Sequence, residues 1–285
     1  MAWLANLSVD FELRGGPDGS PRTVAHAVHE GPLRVMQSLY PEAGGVCHTV
    51  LVHPPSGLTG GDTLDVRLHL KNGTHSLLTT PGASRFYRSD GEAAMQSVRA
   101  RLESGARLEW LPQENIAYSG CKAHNHARFD LAGGAELMAW DITALGLPAS
   151  GKPFERGYIH QHLELAGSWI DSGRIDSGDG RLLNSPLGLH GHRCLATLIF
   201  ASGEAITRTR REQLLDLARE LIDQHELRAT SAATAANPQV IVVRALAPLV
   251  EPAMGLFRQI RSAWRPALWQ MPGTAPRVWM DEWKN

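Results

Sequence analysis

From about residue 20 to residue 205, apolar side chains alternate with polar ones, as at Val66, Leu68 and Leu70 or at Leu163 and Leu165. A period of two puts successive side chains on opposite faces of a strand, so this region predicts half-buried β-strands. A looser unit recurs within it, in which an alternating segment meets a glycine turn and a second strand follows. It is seen around Gly73, Gly105, Gly134 and Gly167, spaced 32, 29 and 33 residues apart. Units of that length predict successive β layers, each burying its neighbour's apolar face. The expected fold is mainly β, with stacked strand layers forming a solenoid-like core. Four ordinary hairpins in an unrelated β-sandwich are the alternative.

After residue 205 the period changes. Thr209 and Glu212 have capping-box spacing, and Leu214, Leu217, Ala218, Leu221, Ile222 and His225 then share one helical face. Thr230 to Asn237 reads as a linker or ragged helix end, and Val240 to Leu246 as a buried strand. Leu249, Ala253, Leu256, Phe257, Ile260 and Trp264 form a second helical stripe ended by Pro266. Exposed apolar faces on these two helices predict poor solubility of the chain alone. The tail from Gln270 to Asn285, with Trp279 and Trp283, is expected to lie against the rest. Residues 1–285 thus read as one domain: a β-rich core to about 205, then a small α/β part carrying two helices.

Composition narrows the function. Lys plus Arg number 28 against 29 Asp plus Glu, so the net charge of -1 provides no field to gather nucleic acid or an anionic membrane. Cys47, Cys121 and Cys194 fit no disulfide framework or zinc finger, which suggests a reducing compartment. The N-terminus shows no basic export leader, and no apolar run approaches the roughly 20 residues a membrane span needs. A cytoplasmic protein is expected.

The Gly146 to Lys152 segment looks like a phosphate-binding loop, but Pro153 stands where a magnesium-binding hydroxyl and a helix start are needed. Of 13 histidines, three pairs are two residues apart: His124 with His126, His160 with His162, and His190 with His192. With Cys121 and Cys194 they spell C-x-x-H-x-H and H-x-H-x-C, suited to nickel, copper or zinc. A metal-dependent hydrolase using these ligands is one reading; solvated or core histidines are the other. Asp62 follows a tight turn, and Glu136 and Asp141 bracket the apolar run Leu137 to Trp140. Carboxylates in such surroundings need hydrogen bonds, a partner or a cation. They could line a wet internal passage, or Asp62 could cap its turn and Asp141 end a strand. Arg258, Arg261 and Arg265 fall opposite the second helical stripe, as a solvated face or a partner surface.

Four stretches, taken together, resemble the urease accessory protein UreD family, also called UreH: His53-Pro-Pro-Ser-Gly-Leu-Thr-Gly-Gly-Asp62, Leu78-Thr-Thr-Pro-Gly-Ala-Ser-Arg-Phe-Tyr-Arg-Ser89, Trp110-Leu-Pro-Gln-Glu-Asn-Ile116, and Trp140-Asp-Ile-Thr-Ala-Leu-Gly146 continuing to Gly151, Phe154 and Gly157. The resemblance implies a nickel-insertion chaperone without catalytic turnover. Its partners would be UreF, the GTPase UreG and apo-urease, in a complex that can pair as a homodimer. It further implies Ni²⁺ in transit through an internal wet route, with no stably bound cofactor. Weak oxygen or imidazole sites along such a route would let the ion leave. Asp62 and Asp141 fall on the family's acidic positions and are the expected passage residues. Glu136 is a third candidate by proximity, although five residues' separation puts it on the opposite strand face from Asp141. Leu147 and Lys152 depart from the family pattern, which often has Arg and an acid there. A pure interaction scaffold, passing no ion, is the remaining alternative.

Overall fold

The structure is a computed structural model that describes residues 2–55 and 57–279. Trp283 and Ser56 lie outside the described residues. Strands Thr63–Leu70, Ala94–Leu102, Cys121–Leu131 and Gly157–Leu165 lie parallel and side by side in a seven-stranded sheet. Strands Cys47–Val52, His75–Thr79, Arg107–Trp110 and Glu136–Leu147 are likewise parallel in a second sheet. A third, shorter wall comes from Gly57–Leu58, Ser84–Phe86 and Asn115–Ala117, which ends against Glu136–Leu147. Each coil crosses the three walls and advances one strand spacing, roughly 4.8 Å. The result is a β-solenoid of about four turns.

Register explains why the alternation is legible in the sequence. Val66, Val98, Ala127 and Leu163 are neighbours across the four coils, as are Leu68, Ala100, Phe129 and Leu165. All point into one core. The repeating glycines turn the chain, but three of them do not make hairpins. Gly73, Gly105 and Gly134, at φ +69°, +69° and +74°, sit at a corner where the chain leaves one sheet for the other. Only Gly167 belongs to a hairpin, joining Gly157–Leu165 to antiparallel Trp169–Asp176 at the end of the stack. At the other end Leu4–Gly15 adds a parallel strand with Ala5, Leu7, Val9 and Phe11 buried, so the alternation begins before residue 20.

Gly157, at φ +91°, brings one coil onto the next so closely that a Cβ would stand 2.0 Å from the Cys121 carbonyl oxygen. Gly157→Ala is expected to destabilise the fold by about 2–4 kcal/mol, read by chemical denaturation.

Beyond the solenoid, Cys194–Ser202, Val240–Ala247 and Ser231–Asn237 extend the second sheet in antiparallel order. The segment expected as a linker is therefore an edge strand: its alanines add little β preference, and pairing with Val240–Ala247 decides its conformation. Helix Arg208–Asp223 starts earlier than its capping-box spacing suggested, with Thr207 as N-cap accepting from the Arg210 N–H. Glu212 pairs with Arg208 instead, and His225 lies past the helix end. Helix Val250–Trp269 does not stop at Pro266. An interior proline costs about 3 kcal/mol, which burial of Leu268 and Trp269, at about 1.5–3 kcal/mol each, offsets. Both helices lay their apolar faces on the second sheet, against Met138, Trp140, Ile142 and Phe200. The exposed faces expected from the helical pattern are covered, which removes that argument for poor solubility. The tail packs as expected through Trp279, which stacks on Trp140 at 5.3 Å and donates to Thr79 Oγ1 at 3.0 Å.

The arginines of the second helix require a correction. Arg261 and Arg265 are 1% and 0% exposed and belong to an internal ionic network. Arg261 Nε donates to Glu109 at 2.8 Å, and Arg265 bridges Glu109 at 3.3 Å and Glu42 at 2.8 Å. His48 contacts Glu42 at 2.6 Å and His75 contacts Glu109 at 3.3 Å. Both arginines also donate to tail carbonyls, at Thr274 and Pro272. Arg258 is half-buried with its guanidinium 4.9 Å from the Trp279 ring. A helical wheel shows these positions as opposite the apolar stripe; it does not show that the tail and the residue 42–48 region close over them.

Candidate functional site

Strand Glu136–Leu147 divides its side chains by parity. Met138, Trp140 and Ile142 face the helices, whereas Leu137, Ala139 and Leu145 face the solenoid interior. Asp141 and Thr143 share the interior parity. Their surroundings are set by one register line in the opposite wall, where Leu64, Gln96, Asn125 and Gln161 are neighbours in successive coils. After one leucine, this line places three amides in a row inside an otherwise apolar core.

The amides form a continuous polar ladder. Ser84 Oγ donates to Gln96 at 3.0 Å, and Gln96 Nε2 donates to Asn125 at 3.1 Å and to Asn115 at 3.3 Å. Asn125 Nδ2 donates to Asp141, which also accepts from Gln161 Nε2 at 2.9 Å and from Thr143 Oγ1 at 3.1 Å. Among the described residues no cation pairs with Asp141. Burial pushes its pKa above the usual carboxylate value, against the lowering effect of its neutral donors. Asp141 and Gln161 also line a cavity of about 730 Å³ at the end of the stack, whose mouth carries Asp171, Arg174 and Arg244.

Asp62 occupies another environment. It is 3% exposed, continues the inward parity of Leu64 and Val66, and accepts from the Thr59 N–H at 2.8 Å and the Trp3 N–H at 3.2 Å. It thus caps its turn, as one of its two sequence readings has it. A carboxylate offers about four acceptor sites, so two N–H donors leave capacity for a cation. His53 lies beside it, packed on Trp3 at 4.9 Å, and burial lowers its pKa while Asp62 opposes that shift. Glu136 does not join Asp141. Its carboxylate is held by Arg210 and by Trp269 Nε1 on the helix side of the sheet.

The histidine motifs resolve differently from their spelling. Cys121 points inward and His124 outward, because a separation of three on a strand reverses the face; burial keeps the Cys121 thiol at about 12. Cys194 is buried and also raised to about 12, while His190 lies exposed in a turn at φ +50° with His192 6.2 Å away. Neither C-x-x-H-x-H nor H-x-H-x-C is assembled, and the hydrolase reading loses both ligand sets. The two other pairs do meet, because His124 registers with His160 and His126 with His162 on the outer face of the seven-stranded sheet. Burial, then the neighbouring imidazoles, lowers the pKa of His124 and takes His126 to about 4.

The ladder escapes a sequence reading because a lone Gln or Asn in a strand carries no motif. Aligning coils on Gly105 and Gly134 puts Gln96 and Asn125 in one column, nine residues before each glycine, whereas Gln161 stands six before Gly167 and joins them only through strand register. A model of the UreD urease accessory protein family matches residues 4–280. Over 279 residues the chain is 54% identical to the urease accessory protein UreD of Polaromonas naphthalenivorans and of Variovorax paradoxus, and 55% identical to that of Paracidovorax citrulli. Each comparison covers 98% of this chain and 99% of the relative. The chain belongs to the UreD urease accessory protein family. This places it in urease maturation. The two positions read from the resemblance as departures, Leu147 and Lys152, face each other across a short antiparallel ladder, with Gly151 at φ +65°. The phosphate-loop lookalike is therefore a surface hairpin with an exposed Lys152. Among the described residues no helix is long and apolar enough to cross a membrane.

Proposed function

We propose that this chain is a scaffold that passes Ni²⁺ through its interior to apo-urease, in a complex with UreF and the GTPase UreG. The carrying observation is Asp141: a carboxylate bound by neutral donors only, at the junction of the amide ladder and the end cavity. Amide oxygens and one or two carboxylates bind a divalent ion weakly and exchange it, which suits transfer rather than storage. Asp62 would serve the same route from the first coil, through its spare acceptor sites. Glu136, committed to Arg210 and Trp269, is left to a structural role. The protein would act in the cytoplasm without turnover of its own.

The scaffold part has its own test. Tagged full-length chain, captured from cells expressing the urease subunits and the other accessory proteins, is expected to bring down UreF, UreG and urease subunits. Recovery of the chain alone would overturn the complex, whatever the fate of the passage.

A further inference from the structure

We propose that His124, His126 and His160 form a surface site for a borderline divalent ion, Ni²⁺, Cu²⁺ or Zn²⁺, on the outer face of the seven-stranded sheet. Three ring nitrogens, one from each residue, lie within 4.8 Å of one another. His126 Nε2 and His160 Nδ1 are 3.4 Å apart. At a metal–nitrogen distance of about 2.1 Å that separation corresponds to an angle of about 110°, a tetrahedral value. His124 completes the set, with ring centroids 5.6 Å from His126 and 5.5 Å from His160. Half-exposed rotamers can close the remaining spread.

Neighbouring groups orient this set. Ser172 Oγ stands 3.3 Å from His160 Nε2, which leaves Nδ1 to face His126. His162, the fourth corner, has both nitrogens engaged, by Ser172 and Glu164 at 3.1 Å each, so it supports the site rather than ligating. The fold itself gives no reason for the cluster: the next strand presents Met95 and Ser97 at the same registers. Clustered imidazoles repel when protonated, whereas an ion turns their proximity into binding. Three imidazoles leave coordination positions open, as exchange requires.

His162 also lines the cavity that holds Asp141. The cluster is thereby placed as a collecting point outside the proposed passage. That role rests on the passage reading; ion binding does not.

The test is calorimetric titration of the full-length chain with NiCl₂, together with electron paramagnetic resonance of the Cu²⁺-loaded protein. One equivalent is expected at the cluster, with imidazole nitrogen couplings. His126→Gln should weaken it about tenfold or more, with melting temperature and circular dichroism unchanged, while His190→Gln leaves it intact. Binding unaltered in both His126→Gln and His160→Gln would overturn the site. Loss of the site with undiminished urease activation at limiting nickel would overturn only the collecting role. Loss of activation in Asp141→Ala with the cluster still binding would support the passage and show that ion binding at the cluster stands independently of it.

Discussion

Glu109→Gln is expected to lower the melting temperature by on the order of 10 °C. Glu109 is fully buried and is the shared anion of Arg261 and Arg265. Although burial opposes it, Arg261 with His75 and Arg265 holds its pKa down at about 2. Removing one partner of a buried ionic group costs about 3–5 kcal/mol, and here Arg261 would be left buried without a carboxylate while Arg265 keeps only Glu42. The same helix anchors the tail through its arginines, so Trp279 should loosen with it, seen as changed tryptophan fluorescence. A melting temperature within a degree of the parent's would show that the arginines need no anion there. The pH dependence follows in sign. A carboxylate with a depressed native pKa contributes stability that is complete above its unfolded value of 4.5 and is lost as pH falls toward 2. His75, lowered by burial from 6.5, adds a loss of the same sign beginning below that value. Acid unfolding should therefore be steep below about pH 4.5 in the parent, and Glu109→Gln should lose part of that slope.

Asp141→Asn is expected to reduce urease activation by roughly ten- to hundredfold at limiting nickel, with no loss of stability. The two readouts separate because of the sign of the Asp141 shift. Its native pKa is raised by burial, so between the unfolded value of 3.8 and the native value the folded state binds the extra proton, and stability rises as pH falls. At neutral pH the ionised group is a buried charge that weakens the fold, and the amide removes it. The parent and the variant should differ by less than about 1 kcal/mol in denaturant unfolding, in the variant's favour. Full activation by a folded Asp141→Asn protein would end the passage reading and leave the interaction scaffold.

Sequence and tertiary structure divide the account along physical lines. Period-two alternation and the glycine spacing point to stacked β layers, because a strand's two faces and a turn's positive φ are local properties, but only the parallel register between coils excludes the sandwich of hairpins. Ordered motifs likewise point to the UreD family from the sequence alone. What lies beyond local reach is which side chains meet. The odd separation of Glu136 and Asp141 already puts them on opposite strand faces; what waits there, Arg210 and Trp269 for one and the amide ladder for the other, comes from distant parts of the chain. Arg261 and Arg265 read as surface charges until the tail and Glu42 enclose them. The ladder and the histidine cluster exist only through inter-coil register, which joins residues 29 to 36 positions apart. Sequence by itself determined the strand period, the turns, the two helices and the family. Tertiary structure alone decided the compartment of each charged and polar side chain, because desolvation and pairing depend on neighbours brought in by stacking rather than on the residues adjacent in the chain.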